Sequence, residues 1–256
     1  MQKDKILEIK KILVHGCKEC SGSGYIPAGE GVVMRCDCMV AFRYIVRLCQ
    51  AGIPVDYWFL EMETLRVEDV FKTVVSRYCE NISVAVQKGM GLLFFGPNGI
   101  GKTTLMCEVG KYAIVSGISV NYFTLPKYIT AIQKGDAVTK TACEAGTVLL
   151  IDELDKKYMK SGSDFVLKTV DETFRGFLND GKSLILATNW NYEEMISTLG
   201  ESTVSLLRRR CDFVDMDGED YGHNLLNDYW ERLTSVPDYM DESLMRMARK
   251  LEGLYE

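Results

Sequence analysis

The sequence predicts an α/β fold, a parallel sheet covered by helices on both faces, preceded by a small cysteine-rich module. Three observations point there. From Gly91 onward, short all-apolar runs alternate with amphipathic ones, the pattern of strands buried on both sides between crossover helices. A glycine-punctuated turn, GPNGIGKT, joins the first apolar run to the first amphipathic one. Four of the nine cysteines crowd between Cys17 and Cys38.

Taken in order, MQKDKILEIKKILVHG is a charged amphipathic stretch without the apolar stretch of a signal sequence. The cysteine-rich segment follows, then the helical VAFRYIVRLCQAG, and a boundary near Ala51–Pro54 divides a module of residues 1–52 from a domain of residues 53–256. Asp56 to Gly89 reads as helical, with Val70, Val74, Val75, Tyr78 and Ile82 on its apolar face. Leu92–Phe95 is a buried strand. After the glycine turn, Leu105, Val109 and Ala113 recur at helical spacing until Gly117. Ser119–Thr124 is a strand, Leu125–Lys134 a helix stopped by Gly135, Thr147–Ile151 a strand, Phe165–Asn179 a helix stopped near Gly181, and Ser183–Thr188 a strand. Beyond Asp220 two helical segments, residues 224–233 and 242–254, flank the breaker Ser235–Asp238. No internal repeat or low-complexity tract interrupts the chain.

With 256 residues the chain accommodates one main domain and a small appendage, and a net charge of −6 argues against a generally basic nucleic-acid coat. No run approaches the roughly 18 apolar residues of a membrane span. Nine cysteines cannot all pair within one chain, so a reducing, cytoplasmic setting is expected, with Cys49, Cys79, Cys107, Cys143 and Cys211 as small core residues.

The turn Gly96, Pro97, Asn98, Gly99, Ile100, Gly101, Lys102, Thr103, Thr104 fits the G-x-x-x-x-G-K-[ST] pattern between a strand and a helix. Backbone N–H groups of such a loop curl into an anion nest, and the helix adds the positive end of its dipole, which suits a nucleoside triphosphate. Lys102 reaches the terminal phosphates and the Thr103 hydroxyl holds a magnesium ion. VLLIDEL then presents Asp152 at the strand's end for the magnesium shell, and Glu153 polarises the attacking water. SLILATNW ends in Thr188 and Asn189, whose amide is placed between the two phosphate-site strands, toward the attacking water or the terminal phosphate.

Cys17 and Cys20 form a C-x-x-C knuckle; fifteen residues on, Cys36 and Cys38 close the set with one residue between them. Four thiolates suit tetrahedral zinc, which would staple a module poor in large apolar residues. The short second spacer leaves His15 as an alternative ligand. An iron–sulfur cluster has no matching spacing. Lys127 and Tyr128 offer a cation and an aromatic for single-stranded DNA.

The cysteine-rich start, AGIPVDYWFLEMETL, GPNGIGKTTL, LLIDEL, LATNW and SLLRRRCDFVDMDGEDY together resemble the AAA+ replicative-helicase loaders of the DnaC/DnaI type in bacteria and phages, relatives of the IstB-like transposition ATPases. The resemblance implies an AAA+ core using ATP and magnesium, self-association, and an N-terminal module that docks on a hexameric replicative helicase. It also exposes two departures. Leu206 stands where the family has an arginine acting on a neighbour's ATP, leaving Arg208, with Arg209 and Arg210, either as substitutes from one turn further along or as a solvated basic face. Gly222 stands where the family has a nucleotide-sensing arginine after Asp-Tyr. Both imply weak hydrolysis. Three functions fit: a helicase loader, an IstB-like regulator acting on DNA and a transposase, and a nucleotide-gated adaptor.

Overall fold

The computed structural model describes residues 6–7, 9–58, 60, 62, 65, 67–137, 141, 146–155 and 164–218. The segments expected beyond Asp220, together with Gly222 and Cys143, lie outside the described residues.

The N-terminal part has a π-helical turn at Lys11–His15, a hairpin of β1 (Tyr25–Gly29) and β2 (Val32–Arg35), and helix α1 (Asp37–Ala51), which Gly52 ends in the left-handed conformation. A 3-10 turn, Val55–Tyr57, leads to α2 (Asp69–Glu80) and α3 (Ile82–Gln87). The helical pattern expected over Asp56–Gly89 is therefore divided between this turn and the two helices. The buried face of α2 is Phe71, Val75 and Cys79, whereas Val70 is 59% exposed, because the face is set by contact with the next layer rather than by the densest apolar run.

Five parallel strands follow: β3 (Gly91–Phe95), β4 (Val120–Thr124), β5 (Val148–Leu154), β6 (Ser183–Thr188) and β7 (Cys211–Asp215). Their order is β4-β5-β6-β3-β7. Between them run α4 (Lys102–Val115), α5 (Leu125–Gln133), α6 (Asp164–Asn179), α7 (Tyr192–Leu199) and α8 (Glu201–Arg210). Successive strand residues feed opposite faces. Leu92, Phe94, Leu150, Ile185 and Ala187 join a core with α1, α2 and α4. Leu93, Phe95, Leu149, Ile151 and Leu186 join a second core with α5, α6, α7 and α8. The two-faced covering expected from the sequence is what the chain adopts.

The first of these cores runs unbroken from Leu13 and Val14 through Tyr44 and Leu48 of α1 to Leu105 and Val109 of α4. The cysteine-rich segment thus leans on the helix that follows the glycine turn. A buried ion pair sits at this junction: Lys111 Nζ lies 2.6 Å from Glu108 Oε1, with both side chains at most 3% exposed, and Lys111 also donates to the carbonyl of Leu60 in the connecting segment. The charged pair fixes that segment against α4, since losing either partner leaves a buried charge uncompensated.

Strand β3 is pinned between β6 and β7, and Gly91 at its start has no room for a side chain: an added Cβ would lie 1.9 Å from the Leu184 carbonyl oxygen. Gly91→Ala must push neighbouring backbone aside. It is expected to lower the free energy of unfolding by about 2 kcal/mol, read as an earlier midpoint in urea denaturation.

Candidate nucleotide and metal sites

The glycine turn leaves β3 at its carboxyl end. Gly96 has φ +137°, and a Cβ there would meet the Met216 carbonyl oxygen at 1.9 Å, so only glycine lets the loop pass the end of β7. The Met216 N–H donates to the Phe95 carbonyl at 2.8 Å and ties the two strand ends together. Gly101, at φ +92°, is the N-cap of α4 and has no side chain to cap the first turn of that helix. Its leading N–H groups face a cavity of about 530 Å³.

Asn98, Gly99, Gly101, Lys102, Thr103 and Thr104 form one wall of that cavity; Asp152, Glu153, Thr188 and Asn189 form another; Pro54, Asp56 and Tyr57 close a third side. The sheet order explains this gathering. Strand β6, which ends in Thr188, lies between β3 and β5, so the loop, the polar residue and the acid emerge side by side at one sheet edge.

Lys102 is buried, and Nζ donates to the Gly96 carbonyl at 2.8 Å and to the Pro97 carbonyl. Burial pushes its ammonium down to about 8, against the pull of Asp152. The Thr103 hydroxyl donates to Asp152 Oδ2 at 2.9 Å, which puts the two expected magnesium-binding groups in contact. Tyr122 on β4, which sequence reasoning passed over as an ordinary strand residue, donates its phenolic O–H to the same oxygen at 3.0 Å. Burial first, then Asp152, holds that phenol well above its ordinary range.

The acidic strand does not stop at Ile151. It runs on to Leu154 through a register shift: Ile151 pairs with Leu186, but Leu154 pairs with Thr188, so β5 contains one residue more than its partner. Glu153 sits in that bulge at φ +55°, a rare conformation for a residue with a Cβ, and its N–H donates to Asp152 Oδ1 at 2.8 Å. Its side chain is exposed at the cavity. Thr188 closes the bulge by donating to the Leu154 carbonyl at 2.5 Å and accepting from the Trp190 N–H at 3.1 Å. Asn189 is left facing the cavity.

Other expected residues fall elsewhere. Arg208 does not line this cavity. Its guanidinium stacks 5.3 Å from the Tyr192 ring centre and donates to the Tyr192 hydroxyl at 2.9 Å, beside a second hollow formed with Gly96, Pro97 and Asp215. Leu206 is half-buried against the second core. Tyr128 is buried, packed on Phe123 and bonded to the Thr173 hydroxyl at 3.0 Å, so the aromatic half of the expected single-strand contact is not at the surface. The helix turns Tyr128 inward because it lies on the same face as Leu125 and Ile129, and of the pair Lys127 and Tyr128 the lysine is the exposed one.

The second site lies at the amino end of α1. The sulfurs of Cys17, Cys20, Cys36 and Cys38 all fall within 4.8 Å of one another, with Cys17–Cys36 at 3.8 Å and Cys20–Cys38 at 3.5 Å. A tetrahedron of sulfurs around zinc, with bonds of about 2.3 Å, has edges of about 3.8 Å. The cluster fits zinc. The short second spacer has a geometric reason: Cys36 is the extended N-cap of α1 and Cys38 lies in its first turn, so both thiols turn to the same point. The first knuckle closes through the left-handed Ser21 and Gly22, with the Gly24 N–H donating to the Cys20 sulfur at 3.2 Å. Among the described residues the group consists of these four cysteines, and His15 stands exposed outside it. Four thiolates within 4.8 Å of one another repel, and a cation among them offsets that repulsion.

Residues 92–212 match the family described as "ATPase family associated with various cellular activities (AAA)". Among curated proteins, the chromosomal replication initiator protein DnaA of Acinetobacter baumannii is 28% identical over 121 residues, 44% of this chain and 25% of DnaA. The insertion sequence IS5376 putative ATP-binding protein of Geobacillus stearothermophilus is 24% identical over 149 residues, 53% of this chain and 57% of that protein. The match therefore spans about a quarter of DnaA and just over half of the insertion-sequence protein. Among solved structures, the DnaC helicase loader superposes with a TM-score of 0.56 at 21% identity, covering 64% of this chain and 100% of that one.

One zinc per chain is expected by elemental analysis of protein purified under reducing conditions, and Cys38→Ser should lose it. Less than about half a zinc per chain would remove the metal reading of the cluster. For residues 92–212, the family match, the sheet order and the phosphate loop agree: this part of the chain is similar to the AAA family and has the P-loop fold.

Proposed function

We propose that this chain is an ATP-binding helicase loader of the DnaC/DnaI type, a cytoplasmic protein that delivers a hexameric replicative helicase to DNA and hydrolyses ATP slowly. One observation supports this reading above the others. A cysteine cluster suited to zinc is packed, through α1, on the helix whose first turn opens the nucleotide cavity. A partner-binding module placed there is in mechanical contact with the nucleotide. In this reading residues 1–52 grip the helicase and residues 53–256 respond to ATP.

The roles follow the geometry. Backbone N–H groups of Gly96 to Thr104 cradle the phosphates, and Lys102 exchanges its loop carbonyls for the terminal phosphate. Thr103 and Asp152 hold magnesium, which when bound neutralises charge building on the phosphates. Glu153, held outward by the bulge, orients the attacking water, and Asn189 bonds that water or the terminal phosphate. Slow turnover agrees with an apolar Leu206 where the resembling family has an arginine, because an arginine at the phosphoryl transition state is worth about 10³ to 10⁵ in rate. Acting from α8, Arg208 would serve a neighbouring copy, which requires self-association. Single-stranded DNA is a further partner in this reading, contacted with Lys127 as the exposed cation.

A second reading, a DNA-bound regulator of a transposase, is favoured by the similarity to the insertion-sequence ATP-binding protein. A nucleotide-gated adaptor would share the cavity but not the turnover. Two measurements separate them. Lys102→Ala is expected to abolish binding of a fluorescent ATP analogue, because no other cation lines the cavity wall formed by the loop among the described residues; undiminished binding by a folded variant would end the nucleotide reading. In a pull-down, wild-type protein is expected to retain the cognate replicative helicase, and Cys36→Ser to lose it while still binding the ATP analogue. Retention of a transposase instead of the helicase would favour the regulator.

A further inference from the structure

Asp152 is expected to hold magnesium with one carboxylate, yet that carboxylate is already gripped at three points. Oδ1 accepts from the Glu153 N–H at 2.8 Å, and Oδ2 accepts from Thr103 at 2.9 Å and from the Tyr122 hydroxyl at 3.0 Å. The first two groups belong to the acidic strand and the phosphate loop themselves. The third comes from a different strand.

The sheet register accounts for it. Thr124 pairs with Asp152 and Tyr122 with Leu150, so Tyr122 stands one pair behind the acid on the same face of the neighbouring strand. Residues two apart on a strand are about 6.6 Å from one another, and a phenol leaning along the strand spans that distance. A shorter side chain at this position would fall short of the carboxylate. Both residues are buried, Tyr122 at 8% and Asp152 at 7% exposure, and both line the nucleotide cavity.

We propose that Tyr122 is a positioning residue for the magnesium site: its hydroxyl orients the Asp152 carboxylate so that the acid and Thr103 present a ready pair of oxygens to the cation. The inference rests on the nucleotide-and-magnesium reading above. If magnesium binds, Thr103 and Asp152 would hold it, and the Tyr122 hydroxyl, which reaches the carboxylate from the neighbouring strand, would keep Oδ2 oriented toward it. Groups that orient a metal ligand typically change metal affinity by about 10- to 100-fold when removed.

The test is Tyr122→Phe, which removes one oxygen and keeps the ring. Binding of a fluorescent ATP analogue is titrated with magnesium chloride, and repeated in excess EDTA. The expected result is a half-saturating magnesium concentration raised about tenfold, with affinity recovering at high magnesium, EDTA-resistant binding unchanged and thermal unfolding close to that of the wild type. In an Asp152→Asn background the same substitution should add nothing, because its effect passes through the carboxylate. Superimposable magnesium curves for wild type and Tyr122→Phe would overturn the inference and leave the nucleotide reading standing. So would an equal effect of Tyr122→Phe with and without Asp152, which marks a general packing role. Wild-type binding indifferent to magnesium would overturn the metal reading and this inference with it.

Discussion

The amino end of α4, which opens on the nucleotide cavity, is the constraint around which the domain is built. The first N–H groups of a helix have no partner within it, and the N-cap here is a glycine without a side chain to supply one, which suits them to an anion. The rest of that helix is almost wholly buried, from Thr104 to Ile114. A helix buried along its length yet open at its tip can be held only by layers that stop short of the tip. The sheet does this with strands that end together at one edge, and α1 and α2 do it by covering the flank of α4 through one continuous core.

Around that tip, the polar side chains are held by backbone devices rather than by one another. The extra residue in β5 sets Glu153 at φ +55° and separates its direction from that of Asp152, so two adjacent acids take different environments, one buried and one exposed. Thr188 spends its hydroxyl on closing the bulge, which leaves Asn189, one residue on, to face the ligand space. A strand that ended cleanly at Ile151 would give the site neither arrangement.

The cysteine-rich segment belongs to the same mechanical unit. Cys36 and Cys38 begin α1, and the chain leaving α1 at Gly52 passes directly into Pro54, Asp56 and Tyr57, which line the nucleotide cavity. Trp58 closes that passage by donating to the Ile53 carbonyl at 2.8 Å, and Lys111 holds it from the α4 side through Leu60. One helix of 15 residues therefore has the cysteine cluster at one end and the cavity wall at the other, the physical basis for reading the two as coupled.

Sequence alone was enough for the phosphate loop, the acidic strand, the helix stops at Gly117 and Gly135, the strand Ser183–Thr188 and the gathering of four cysteines, because each depends on local spacing: a turn that only glycine can make, a period of two or of 3.6, a knuckle closed within four residues. What depends on distant backbone was decided by the tertiary structure. The face of α2 that is buried, the inward turn of Tyr128, the bulge at Glu153, the exclusion of His15 from the cysteine cluster and the stacking of Arg208 on Tyr192 all follow from which neighbour each element meets. Tyr122 is the clearest case. Nothing in VNYFT marks one aromatic as different from the other, and its role arises only when the register of β4 on β5 sets its hydroxyl 3.0 Å from a carboxylate 30 residues away in the chain. Hydrogen bonds across a parallel sheet join residues whose separation along the chain is fixed by the crossover between them, and no local pattern encodes that distance.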